Sequence, residues 1–128
     1  MTGEVEENAG MMQFDDLVFV RLIRVADRPT LDAAEGTRVQ DAHLAYIHEL
    51  WRRGVLIAAG PVDDGGEVVG ISVMTCPMEE ARVLVAADPG VQAGRFTPEL
   101  TAWQVPAGML VGGPGVPPRS VAEVLGNS

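Results

Sequence analysis

The chain has a single cysteine, Cys76, in 128 residues. A lone thiol excludes an internal disulfide framework and any multi-thiolate metal site, and it suits a reducing compartment, so a cytoplasmic protein is expected. Basic residues are also scarce, 9 against 18 acids, which gives a formal charge of −9. Phosphate neutralisation needs clustered Lys and Arg, and no basic patch is visible, so no nucleic-acid partner is expected. No apolar run is long enough to span a bilayer, and the opening Met-Thr-Gly-Glu-Val-Glu-Glu-Asn is acidic where a secretory signal needs a basic start followed by an apolar run. No membrane partner and no export are therefore expected. A phosphate-cradling loop is lacking as well: Gly112-Gly113-Pro114-Gly115 has neither the following Lys-Ser/Thr nor a strand-to-helix setting. His43 and His48 have the wrong spacing for a zinc-protease helix. Neither a metal nor a cofactor is expected.

What the chain does have is apolar residues, 47 % of the total, enough to build one core at this length. Residues 1–13 carry charge without periodicity and read as a flexible tail. Residues 17–25 are β-branched and aromatic, the composition of a strand. Thr37 and Gln40 have capping-box spacing, and Val39, His43, Tyr46 and Leu50 share one face, so a helix is predicted from Thr37 to the stop at Gly54. Two strands follow, 55–59 and 67–75, joined by the turn Asp63-Asp64-Gly65-Gly66. Pro77, as a first helical residue, and the acidic pair Glu79 and Glu80 open a second helix, which ends near Ala87 where Pro89 stops it. Glu99 to Val105 reads as the fourth strand. Residues 106–119 form a Pro/Gly-rich arm, and Ser120 and Glu123 cap a last helical turn.

The order βαββαβ is that of the ferredoxin-like α+β fold, a four-stranded antiparallel sheet with both helices on one face. The first strand is apolar on both sides, with Phe19, Ile23 and Val25 on one and Val18, Val20 and Leu22 on the other. Two helices cover one face only. A second copy of the sheet is the simplest cover for the other, so a homodimer is expected.

His43 is the residue most in need of explanation, because an imidazole in an apolar stripe requires a partner or a purpose. By itself it is more often a core histidine bonded to a carbonyl than a catalyst. In this fold the two helices run antiparallel, so the early turns of the first lie beside the end of the second, where Asp88 stands. A carboxylate at a helix C-terminus is opposed by the dipole by about 0.3–1 kcal/mol, so Asp88 also calls for a partner, although an Asp-Pro turn would account for it equally well. Together the two suit general acid–base chemistry, with Asp88 orienting His43. His48 is rotated away and reads as a solvated residue. Arg21 and Arg24 interrupt the first strand, one on each face, and suit either clamping an anionic or phenolic ligand or pairing with an acid at a rim. Tyr46, one turn after His43, and Ser72, a polar insertion in the third strand, are further candidates for ligand contact. Cys76 reads as packing.

These residues resemble the YCII-related (YciI-like) family. The resemblance runs through Ala42-His43-Leu44-Ala45-Tyr46-Ile47 and Gly54, then Ala59-Gly60-Pro61, then Glu79-Glu80-Ala81 leading to Ala87-Asp88-Pro89, and ends near Trp103. It implies a dimeric α/β barrel, here expected over residues 14–105, with His43 and Asp88 as the proposed active pair. Residues 106–128 are an arm beyond the family's arrangement, expected to pack on the partner subunit, and Tyr46, Arg21 and Ser72 stay candidates for contact with a small-molecule ligand on their positions alone. One branch of the family is linked to dehydrochlorination of a chlorinated hydroxyquinol, and related barrels include lactone isomerases. The resemblance thus implies either acid–base chemistry on a small cyclic or aromatic metabolite or a non-catalytic ligand-binding or accessory module. Family members usually carry an aromatic after the Asp-Pro. Here Gly90 stands in that place, which opens one wall of the expected pocket.

Overall fold

In the computed structural model, described for residues 11–126, the elements are β1 (Phe14–Arg24), α1 (Ala33–Arg52), β2 (Leu56–Pro61), β3 (Val68–Met74), α2 (Met78–Ala86), α3 (Pro89–Gln92), β4 (Phe96–Pro106) and α4 (Val121–Val124). The expected tail over 1–13 falls largely outside the described residues. The sheet is antiparallel in the order β2-β3-β1-β4, the arrangement of the ferredoxin-like α+β fold.

Cross-strand partners share a face, so the register assigns the sheet's two sides. Val18 opposite Met74 and Ala102, and Val20 opposite Ser72 and Leu100, point toward the helices. There Val18, Val20, Leu56, Met74 and Cys76 pack with Leu50 of α1 and Ala81 and Val85 of α2, forming the main core. On the opposite side Leu17, Val73 and Val105 form a second cluster with Phe19, Ile57 and Leu110.

Several boundaries differ from expectation, two of them for identifiable reasons. Helix α1 starts a full turn before Thr37, because the Asp32 side chain accepts from the Glu35 amide at 2.8 Å and acts as the N-cap. Gly36 in the first turn, a poor helix former, hides this start. Strand β4 begins at Phe96 rather than Glu99, with Pro98 inside it. A proline is tolerated there because β4 is an edge strand, and its missing N–H costs no ladder bond if it faces outward. Pro77 also stands just outside α2, as its N-cap, rather than in its first position.

The segment after β4 folds back on its own chain. Ala107 donates its amide to the Gln13 carbonyl at 2.9 Å, and Gly108, in a left-handed turn at φ 80°, donates to the Asp15 carboxylate at 2.9 Å. Leu110 then joins the second cluster. Gly112 passes beside Ile57 of β2. Further on, the Pro117 carbonyl accepts from Nδ1 of His48 at 2.9 Å, and the Val121 amide donates to Asp41 at 2.8 Å. The segment is a strap running from the uncovered sheet face to the outer side of α1. His48, expected in solvent, is half-buried under it and packs on Trp51 with ring centroids 5.2 Å apart.

Candidate functional site

Helix α1 follows β1 and α2 precedes β4, and the middle of α1, rather than its first turns, lies beside the residues that follow α2. His43 and Asp88 come together there. Both carboxylate oxygens lie within bonding range of His43 Nδ1, at 2.9 and 2.8 Å. A carboxylate only accepts, so Nδ1 carries the hydrogen. Nε2 is left without a hydrogen-bond partner among the described residues, as the nitrogen able to take or give a proton.

Asp88 is 3 % exposed and is the one buried charged residue among those described. Its setting differs from the one expected. Instead of opposing the C-terminus of α2, it stands beyond that helix's cap and serves as the N-cap of α3, with Oδ1 accepting from the Gly90 amide at 2.7 Å. Pro89 therefore starts a short helix as well as ending a long one. A buried carboxylate is tolerated only when donors replace water, and Gly90 N–H and His43 Nδ1–H do so here.

Gly90 does not open the site. A Cβ at that position would lie 2.3 Å from Cε2 and 2.9 Å from Cδ2 of Phe96. The Phe96 ring, entering from β4, fills the wall and packs on His43 with centroids 5.4 Å apart and planes tilted by 57°. Phe96 was not singled out in the sequence. Its position just before an expected strand gave no sign that the register would bring it under α1.

Of the other candidates, Tyr46 stays close to the pair but its proton is committed. The hydroxyl donates to the Leu84 carbonyl at 2.6 Å, tying α1 to α2. Burial, and then the charge of Asp88, push the phenol above its usual pKa, so Tyr46 remains a neutral donor. Ser72 lies opposite Val20 on the helix-facing side of the sheet, half-buried, and its hydroxyl has no hydrogen-bond partner among the described residues. Arg21 does not join the site. It pairs with Glu99 at 2.7 Å on the uncovered sheet face, with side-chain exposures of 43 % and 52 %, the second of its two expected uses. Cys76 lies in the core, and burial followed by the charge of Glu80 pushes its thiol pKa up, away from nucleophilic use.

Two clefts flank these elements. One of about 200 Å³ is lined by Arg28, Gly36, Val39, Gln40, Arg95 and Phe96. Its α1 residues lie one and two turns before His43, and Phe96 is shared between the cleft and the imidazole. The other, about 570 Å³, lies under the strap between Trp51, His48 and Val116. Among the described residues no cluster of His, Cys, Asp and Glu could hold a metal ion, and no helix is long and apolar enough to cross a membrane.

Comparison with known proteins adds three findings. The model of the YCII-related domain matches residues 18–103. No curated protein matches the chain. Among solved structures, the chain is similar to 5-chloro-2-hydroxyhydroquinone dehydrochlorinase from Burkholderia phenoliruptrix AC1100 in complex with 2,5-dihydroxybenzoquinone, with 21 % identity, 68 % of this chain and 92 % of that chain covered, and a TM-score of 0.47.

Proposed function

The chain belongs to the YCII-related domain family, and from that premise we propose that it is an enzyme in which His43 transfers protons on a small cyclic or aromatic metabolite. The observation that carries this reading is the burial of Asp88 against His43 Nδ1, with Nε2 free. In the proposed step Nε2 accepts a proton from an acidic C–H or O–H of the substrate. The resulting imidazolium is held beside the Asp88 carboxylate, and the same proton returns to another atom of the substrate or to a leaving group. Asp88 orients the ring and stabilises its charged form without itself accepting the proton. Phe96 and Val39 supply apolar surface suited to a ring.

A second reading has one observation in its favour: Asp88 already has a structural task, because it caps α3. In that reading His43 and Asp88 brace a ligand-binding module without turnover. Small cyclic and aromatic compounds bearing an acidic C–H distinguish the two when incubated in D₂O and followed by proton NMR. The enzyme reading expects exchange or conversion with the wild type and none with His43→Ala. Binding without exchange across the panel favours the module.

The assembly proposed is a homodimer joined through the sheet face opposite the helices. Phe19 and Trp103 meet there edge to face at 5.7 Å, and Trp103 remains 42 % exposed. A cytoplasmic setting, with Cys76 kept as a thiol, completes the reading.

A further inference from the structure

Every basic residue in this acidic chain is an arginine, nine in all. Three pair with a carboxylate: Arg21 with Glu99, Arg52 with Glu49 and Arg119 with Glu123. Among the described residues the other six do not, although acids outnumber bases two to one. Arg38, Arg53 and Arg82 are dispersed over α1, its C-cap and α2, and no carboxylate among the described residues reaches Arg24, Arg28 or Arg95.

These last three also gather in one place. Arg24 ends β1, Arg28 lies in the loop that follows, and Arg95 stands just before Phe96, the residue opposite Arg24 in the sheet. Arg95 is held in position by donating Nη1 to the Pro29 carbonyl at 2.5 Å, while its backbone joins α3 to the end of β1 through the Gly90 carbonyl and the Val25 amide. Arg28 and Arg95 both line the 200 Å³ cleft, with Val39 and the ring of Phe96 as apolar walls. Arg28 has its pKa lowered by burial first and then by the charges of Arg95 and Arg24, which are the conditions a bound anion relieves.

We infer that the cleft between Arg28 and Arg95 binds the carboxylate of a small ring-bearing acid and presents its ring along Phe96 toward His43. This assignment of substrate class rests on the proposal that His43 acts on a small molecule. Guanidinium groups suit the task, because they remain charged at all working pH values and offer paired donors in the plane of a carboxylate. The cleft is smaller than the roughly 300–1,000 Å³ of pockets for drug-sized ligands, which fits a single ring with a short substituent. The overall charge of −9 does not prevent binding. At physiological salt, charges beyond about 8 Å are largely screened, and the charged residues that line the cleft are both arginines.

The test is a titration with benzoate, followed by amide NMR and calorimetry, on four proteins: wild type, Arg28→Gln, His43→Ala and Arg82→Gln, the last a control on the exposed side of α2. Shifts at Val39, Gln40 and Phe96 are expected in the wild type. A dissociation constant weakened about tenfold or more is expected in Arg28→Gln, with little change in Arg82→Gln. Benzamide, which has the same shape without the charge, should bind more weakly than benzoate. His43→Ala should still bind, which separates anion capture from proton transfer. If benzoate fails to bind the wild type, binds Arg28→Gln as well as the wild type, or is matched by benzamide, the inference falls while the reading of His43 and Asp88 is untouched. If benzoate binds as expected and His43→Ala retains full turnover, the proton-transfer reading falls and the anion site stands.

Discussion

The ring of Phe96 occupies the space that any side chain at position 90 would need, so Gly90 and Phe96 act as a lock and its filler beside His43. Gly90→Ala would place a methyl group within 2.3 Å of the ring. Phe96 would have to turn off the imidazole or α3 would have to shift. The expected cost is about 1–3 kcal/mol, seen as a lower midpoint in chemical denaturation. Gly90→Ala combined with Phe96→Leu should recover part of it, whereas additive losses would show that the two residues are not coupled.

Asp88→Asn keeps an oxygen for the Gly90 amide, and therefore the α3 cap, but can turn an N–H toward His43. Nδ1 would then have to accept, moving the ring hydrogen to Nε2. Long-range ¹H–¹⁵N NMR should report the change of tautomer, and any turnover should fall on the order of 100-fold or more while the fold persists. An unchanged tautomer with full activity would remove Asp88 from the mechanism.

Tyr46→Phe deletes the bond to the Leu84 carbonyl, which still accepts from the Ala87 amide at 3.2 Å. The cost is expected near 0.5–1.5 kcal/mol. The variant should also change the alkaline limb of stability. Because the folded phenol has a raised pKa, it contributes stability that is fully present below the unfolded value of about 10 and is lost as pH rises through the folded one. Denaturation midpoints between neutral and strongly alkaline pH should therefore fall more steeply in the wild type than in Tyr46→Phe. Parallel curves would mean that the phenol's environment does not differ between the folded and unfolded states.

A homodimer through the uncovered sheet face should appear in analytical ultracentrifugation at micromolar concentration. Trp103→Glu should convert it to a folded monomer, because Trp103 is half-exposed within one chain and the charge becomes intolerable only at a buried interface. A monomeric wild type would exclude this assembly.

Truncation after Pro106 removes the strap and exposes Leu17, Val73 and Val105 on one side and Trp51 on the other. The melting temperature should fall by several degrees. Asp41→Ala, which breaks only the last anchor at Val121, should produce a smaller fall in the same direction.

Much of this molecule was legible in the chain. Alternation in β1 and the turn at Asp63 to Gly66 carry the sheet, and the pairing of His43 with Asp88 follows from antiparallel helices once the element order is known. What escaped depended on contacts between distant residues. Nothing near Asp32 announced the start of α1 against the discouragement of Gly36, and nothing near Phe96 announced that its ring would fill the place of a missing side chain at Gly90. The arginine cleft was invisible for the same reason, since Arg28 and Arg95 are separated by most of the domain. Arg21, conspicuous in its strand, proved to be an ordinary exposed pair with Glu99.

The central position of β1 also governs how the chain comes into being. Strand β1, made before the other three strands of the sheet, is paired along one side with β3 and along its whole length on the other with β4, from Phe14 opposite Pro106 to Arg24 opposite Phe96. A nascent chain that has not yet reached Phe96 holds β1 with one bare edge and Asp88 without the aromatic wall beside it. Such an edge invites pairing with other chains, and contacts this remote in sequence form slowly. Closure of the second edge of β1 must therefore wait until Phe96–Pro106 has left the ribosome, and throughout that interval the bare edge is open to pairing with other chains.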